Sequence, residues 1–173
     1  MNSKRLLYVA GPTASGKTSL AIALAHHFDT EIISCDSRQF YKEMSIGTAV
    51  PNSEELAAAK HHFIQQRSIH QPYSIGAFQR EALDSLKTLF KTKDTVILVG
   101  GSGLYADALI HGLDHFPEVD PAFREQLNSQ LEHDGIEALA TRLKDIDPAY
   151  HQKVDLGNPH RLIRALEVCL SSG

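Results

Sequence analysis

Residues 7–18, Leu-Tyr-Val-Ala-Gly-Pro-Thr-Ala-Ser-Gly-Lys-Thr, decide how this chain is read. An apolar run, Leu6 to Ala10, gives way to a glycine-rich loop, and Leu20, Leu24 and Phe28 then recur at helical i, i+4, i+8 spacing. Gly11, Gly16, Lys17 and Thr18 satisfy G-x-x-x-x-G-K-[ST], the pattern of a phosphate-binding loop. Each position has a physical task. The loop runs from Gly11 through Pro12, Thr13, Ala14 and Ser15 to Gly16, and its glycines let backbone N–H groups converge on phosphate oxygens. The helix beginning near Lys17 presents its positive end, Lys17 adds a mobile charge, and the Thr18 hydroxyl can hold Mg²⁺.

Working outward, Glu31-Ile-Ile-Ser-Cys-Asp36 reads as a second strand with Asp36 at its C-terminal tip. Ligands bind at that edge of an open α/β sheet, so Asp36 is a candidate metal ligand or general base, or simply the residue that starts the next turn. Ser37-Arg38-Gln39-Phe40-Tyr41 offers hydroxyl, guanidinium, amide and two rings, suited to a base-and-phosphate surface or to a packed turn. Gly47 to Asn52 reads as a loop, Ser53 as the cap of a short helix through Lys60, and His61 to Ile64 as a short strand. Ile75, Phe78, Ala82, Leu86 and Leu89 form one apolar stripe on a helix over 74–90. Asp94 to Val99 is a nearly continuous β-branched run, the signature of a strand buried on both faces. It runs straight into Gly100-Gly101-Ser102-Gly103, where a substrate could approach the backbone and Ser102 could supply a hydroxyl contact.

From Pro117 the texture changes. Asp120-Pro121 opens a polar helix with Phe123, Leu127 and Leu131 on one side, Gly135 separates it from a second helix, and Asp147-Pro148 begins a third, short one. Asn158-Pro159, an N-cap followed by an N1 proline, opens a final helix whose Leu162, Ile163, Leu166 and Leu170 are expected to face the core. His160, Arg161 and Arg164 share its other side, near a helix N-terminus, as candidate phosphate or nucleic-acid contacts or as a solvated face. The expected organisation is a P-loop NTPase-like α/β core over 1–116, a helical insertion over 117–157 and a helix over 158–173 that returns to the core. The fold class is α/β, a parallel sheet flanked by helices.

Composition sets limits. With 42 % hydrophobic and 22 % charged residues, the 173-residue chain matches ordinary globular proteins, and a net charge of −4 argues against coating nucleic acid by bulk electrostatics. No apolar stretch approaches the ~20 residues of a membrane span and no signal-peptide profile opens the chain, so a cytoplasmic protein is expected, with no membrane partner. Cys35 and Cys169 lack a C-x-x-C spacing and are expected as free thiols. Ten histidines raise the question of a metal site, but the adjacent pairs His26/His27 and His61/His62 cannot share a helix face, and Gly112 interrupts any helix joining His111 to His115.

Four motifs now stand in order: GPTASGKT (11–18), DSRQ (36–39), GGSGLY (100–105) and NPHRLIRALEV (158–168). Together they resemble the tRNA dimethylallyltransferase family, the isopentenyl-diphosphate:tRNA transferases that modify adenine 37 beside the anticodon. IGTAVP and PYSIGAFQREAL are similar as well, so the resemblance covers nearly the whole chain. It implies transfer of a five-carbon prenyl group from dimethylallyl diphosphate to N6 of that adenine. By resemblance, residues 11–18 hold the diphosphate, Thr18 holds Mg²⁺, and Asp36 and Ser102 are catalytic. Asp36, Ser37, Arg38, Gln39, Ser102, Arg124, His160, Arg161, Leu162, Ile163 and Arg164 would contact the tRNA anticodon stem-loop.

The pattern also departs from the family. Ser102 stands where Thr is usual, Val50 where a basic residue is usual, and His160 where Arg or Gln is common. Family members continue past Gly173 with further strands and an arginine that acts on the diphosphate. The resemblance therefore implies the N-terminal part of such an enzyme, incomplete at its C-terminus and poorly active by itself; a monomer is expected, although no motif reports oligomeric state. Two other readings compete: a P-loop small-molecule or nucleotide kinase, and an inactive diphosphate-binding fragment. Against the kinase, the strand at 95–99 ends in glycines, with no Walker-B-type Asp, and no arginine-rich lid follows.

Overall fold

The computed structural model describes residues 3–113 and 119–172. The expected domain boundary at 116/117 and His115 lie outside the described residues. The chain forms two compact units, Met1–Leu113 and Asp114–Gly173.

The first unit is built on a parallel sheet of β1 (Arg5–Ala10), β2 (Ile32–Ser34), β3 (His61–His62) and β4 (Thr95–Gly100) in the order β1-β4-β2-β3. The register pairs Ala10 with Gly100 and Ser34 with Val99, so β1, β4 and β2 end together. All six residues of β4 are buried, as its β-branched run requires of a central strand. Helix α1 (Lys17–His27) covers one face of the sheet. The expected stripe of Leu20, Leu24 and Phe28 is only partly correct: Leu20 is 52 % exposed, and the residues buried against Ile32, Ile97 and Val99 are Ala21 and Ala25. Small side chains let the helix axis lie close to the sheet, leaving Leu24 and Phe28 at the margin.

Between β2 and β3, α2 (Ser53–Ala58) starts one residue earlier than a Ser53 cap would allow. Asn52 is the cap, accepting from the Glu55 N–H at 2.9 Å while the Glu55 carboxylate accepts from the Asn52 N–H at 2.9 Å, a complete capping box. The other sheet face is covered by α3 (Ile75–Leu89), capped by Ser74, and α4 (Gly103–His111). Here Phe78, Ala82, Leu86 and Leu89 bury the predicted stripe against Ile33, Val96 and Leu98. Helix α4 follows β4 after only two residues, so the glycine run is the junction between a central strand and a helix.

The second unit is helical: α5 (Pro121–Asp134), α6 (Ile136–Ile146), α7 (Pro148–His151) and α8 (Pro159–Ser172). Asp120 caps α5 by accepting from the Ala122 N–H at 2.9 Å. The apolar face of α8, expected to face the core, is buried within the helical unit itself. Leu162, Ile163 and Leu166 join Leu127, Leu139 and Leu143 in a cluster of the helical unit's own. The amphipathic pattern located the buried stripe of α8 but carries no information about which partner covers it.

Candidate active site

Gly16 caps α1 with φ of 82°, a left-handed conformation that glycine adopts without strain, and the chain turns there from loop to helix. The first-turn N–H groups of α1 therefore open towards the loop, where no side-chain cap is made. Lys17 Nζ donates to the Pro12 carbonyl at 2.5 Å, spanning the loop mouth.

Opposite the loop, two turns are tied together. The Ser102 hydroxyl accepts from the Ser37 N–H at 3.2 Å and lies 3.2 Å from the Ser37 hydroxyl. Ser102 thus joins the end of β4 to the turn after β2. Asp36 closes an Asx turn by accepting from the Arg38 N–H at 3.2 Å. The approach of β4 to this turn needs Gly100: a Cβ there would lie 2.6 Å from Cys35 Sγ and 2.9 Å from the Asp36 backbone nitrogen. A Cβ on Gly101 would come within 3.6 Å of the Gly11 carbonyl oxygen and 3.8 Å of an Asp36 carboxylate oxygen. Phosphate loop, Asp36 and the glycine junction therefore meet at one point of the sheet edge.

A cleft of about 280 Å³ opens there. Loop residues 13–18 line one side, Ser34, Asp36 and Gln39 another, and Val99 and Gly100 the floor. Ala49, Val50, Pro51, His61 and Ile64 form the far wall. His61 Nδ1 lies 2.8 Å from the Ala59 carbonyl, which can only accept, so the proton sits on Nδ1 and Nε2 is an acceptor. That Nε2 is buried without a partner among the described residues, and burial holds the imidazole below its ordinary pKa, outweighing the Ala59 hydrogen bond. Burial, with Asp36 next in effect, likewise pushes the Cys35 thiol up to about 12, so it is not a nucleophile.

The structure separates the predicted contact residues. Asp36, Ser37, Gln39 and Ser102 converge on the sheet edge, and Arg38 is exposed beside them. Gln39, however, is occupied: its amide donates to the Thr48 and Ala49 carbonyls at 3.2 and 2.8 Å and accepts from Ser34 at 3.2 Å. It holds the 48–49 loop against β2, so its amide is not free to read a base. Phe40 is fully buried, stacked on Phe78 at 5.3 Å and edge-on to Tyr73 and Tyr105. It anchors the turn from below, so for Phe40 the packed-turn reading of this segment holds and its ring is not available for base stacking. In the helical unit, Arg124, His160, Arg161 and Arg164 are exposed. Leu162 and Ile163 are 0 % and 5 % exposed in the apolar cluster, so their side chains cannot contact RNA. The sequence signal for that correction was already present, since both lie on the apolar stripe.

The fold and the site define a phosphate-loop α/β protein with a strand-tip carboxylate lining the same cleft as the loop. Comparison with known proteins narrows this. The IPP transferase family model matches residues 39–173, and the chain belongs to that family. It is 54 % identical over 175 residues to the tRNA dimethylallyltransferase of Flavobacterium johnsoniae, covering 98 % of this chain and 57 % of that one. It is 57 % identical over 171 residues to the enzyme of that name from Christiangramia forsetii, covering 99 % and 57 %. The crystal structure of the full-length tRNA isopentenylpyrophosphate transferase of Bacillus halodurans superposes with a TM-score of 0.63 at 34 % identity, covering 99 % of this chain and 57 % of that one. The chain thus spans somewhat more than half the length of these relatives. No helix among the described residues is long and apolar enough to cross a membrane.

Proposed function

We propose that this chain carries the donor-binding and proton-accepting half of a tRNA dimethylallyltransferase, which transfers a dimethylallyl group from dimethylallyl diphosphate to N6 of adenine 37 in tRNA. The carrying observation is the meeting of phosphate loop, Asp36 and Ser102 at one sheet edge. Chain relatives named for this reaction support it.

The loop N–H groups, the N-terminus of α1 and Lys17 grip the diphosphate and stabilise the charge that develops on it as it leaves. Lys17 exchanges the Pro12 carbonyl for phosphate oxygen. The N6 lone pair attacks the allylic C1, the C1–O bond breaks, and its electron pair departs with the diphosphate. Asp36, held in its Asx turn, takes the N6 proton. Ser102 fixes the turn that carries Asp36 and presents its hydroxyl to the nucleotide. A hard divalent cation fits the oxygen donors present: the Thr18 hydroxyl would hold Mg²⁺ together with the diphosphate, with Asp36 lining the same cleft. When bound, Mg²⁺ supplies neutralising charge to the leaving group. Among the described residues no group of three or more His, Cys, Asp or Glu could hold a metal, consistent with an ion held largely by substrate. The proposed setting is cytoplasmic and the proposed state a monomer.

Label transfer tests the reading with the protein at its natural length. Radiolabel from the prenyl donor should enter an anticodon stem-loop bearing adenine 37. Label entering AMP instead, or phosphate label moving from ATP, would point to another transferase or a kinase and overturn it.

A further inference from the structure

One wall of the cleft is apolar, lined by Ala49, Val50, Pro51 and Ile64. The polar residues that the same 49–64 segment adds to the lining are engaged elsewhere: the Glu55 carboxylate accepts from the Asn52 N–H at 2.9 Å, and His61 Nδ1 donates to the Ala59 carbonyl at 2.8 Å. Val50 and Ile64 are half-buried and β-branched, so each keeps to a narrow set of rotamers.

Their backbone is held as firmly. Among the described residues five non-glycine residues have left-handed φ, and three of them flank these two side chains: Ala49 at 50°, Phe63 at 65° and Gln65 at 47°. Such conformations persist only where the surroundings over-determine them. Gln39 ties both segments. Its side-chain amide donates to the Thr48 and Ala49 carbonyls at 3.2 and 2.8 Å, and its own carbonyl accepts from the Gln65 N–H at 2.7 Å. Buried Pro51 fixes the chain after Val50, and before Ile64 the Phe63 ring is buried edge-on to Phe78 at 5.2 Å.

A stiff apolar wall suits a ligand part that has no polar group and must be measured. In the proposed transfer the N6–C1 bond forms as the C1–O bond breaks, the two bonds in line, with the electron pair leaving on the diphosphate and the N6 proton passing to Asp36. The donor's carbon tail lies to the side of that line. Having nothing to hydrogen-bond, it goes to the apolar wall and away from Ser34, Asp36 and Gln39. We propose that Val50 and Ile64 are specificity-determining residues that gauge the length of the prenyl chain, admitting a five-carbon tail and stopping a ten-carbon one. This rests on the proposed function, because it concerns the donor of that same site.

The test sets dimethylallyl diphosphate against geranyl diphosphate as donors to an anticodon stem-loop, with the protein at its natural length. The wild type should prefer dimethylallyl by about 100-fold or more in kcat/KM, since a single methylene in an apolar pocket is already worth ~10–200-fold. V50A and I64A each enlarge the wall and should lower that preference about 10-fold, and the double variant further. V50F narrows it and should raise KM for dimethylallyl diphosphate about 10-fold. Competitive inhibition by inorganic diphosphate, which has no tail, should stay within about 3-fold throughout and reports an intact phosphate loop and fold. A wild type that uses both donors equally overturns the gauge. So does an unchanged preference in V50A and I64A with inhibition by inorganic diphosphate retained, or weaker stem-loop binding as their sole effect. If the enlarged variants do not fold, a wild-type KM in V50F overturns it. Absence of transfer from either donor by the unaltered protein overturns the proposed function itself, and the gauge with it.

Discussion

Replacing Gly100 by Ala perturbs the site without altering any side chain proposed to contact a ligand. The new Cβ would lie 2.6 Å from Cys35 Sγ and 2.9 Å from both the Cys35 carbonyl carbon and the Asp36 nitrogen. Ordinary contact begins near 3.4 Å, so each distance is short by about half an ångström or more. Two of the three obstacles are backbone, and Cys35 is itself hydrogen-bonded to β4 through its N–H to Val99 at 2.8 Å. The strands must therefore separate at their ends, carrying Asp36 away from the loop. Overpacking of this kind costs about 1–3 kcal/mol of stability, and a displacement near 1 Å can cost about 10²-fold in rate. Single-turnover prenyl transfer, donor binding by calorimetry and thermal melting separate the effects. G100A should lower the melting temperature and slow transfer about 10²-fold, while donor affinity, set by β1 and α1, changes less than about 3-fold. A G100A protein with wild-type transfer rate would refute the claim that this close approach positions Asp36.

Other perturbations probe different parts of the account. F40A removes the ring stacked on Phe78 and should cost about 3–5 kcal/mol in urea unfolding, as for other fully buried aromatics. A cost below about 1 kcal/mol would show that the turn does not depend on its aromatic anchor. His61 has its folded pKa lowered by burial, so as pH falls below the ordinary histidine value near 6.5 the unfolded chain takes up the proton first. Its contribution to stability is present above that range and lost as pH falls through it. Urea midpoints from pH 7.5 to 5.5 should fall less steeply in H61Q than in the wild type, and parallel profiles would remove His61 from the pH dependence.

Much of the first unit was legible because local chemistry dictates it. The phosphate loop needs glycine at a left-handed position, β4 needs apolar residues on both faces, and α3 needs one stripe. The sequence could not reveal choices settled by distant partners. Leu20 and Ala21 both lie on apolar-looking faces of α1, and only the proximity of the sheet decides that the smaller residue is buried. Gln39 has the same chemistry whether it faces a base or the Thr48 and Ala49 carbonyls, and the fold of the 46–50 loop chooses the latter. The stripe of α8 likewise fits any apolar surface, and α5 and α6 supply it. Glu167 lies inside the 158–168 motif, but a glutamate on a helix usually faces water, so the sequence carries no sign of its burial. Its burial becomes visible only when Arg124, 43 residues away, folds back onto it.

The central claim is that one sheet edge joins a grip on the leaving group to a separate proton acceptor. Substituting Asp36 by Asn preserves size and an oxygen able to accept from the Arg38 N–H, but removes the base. Single-turnover transfer and donor affinity measured on the same preparation decide the matter. Transfer should fall by about 10²- to 10⁴-fold while donor binding stays within a few-fold of wild type. Undiminished transfer, or loss of donor binding in equal proportion, would contradict the assignment of Asp36 as the base.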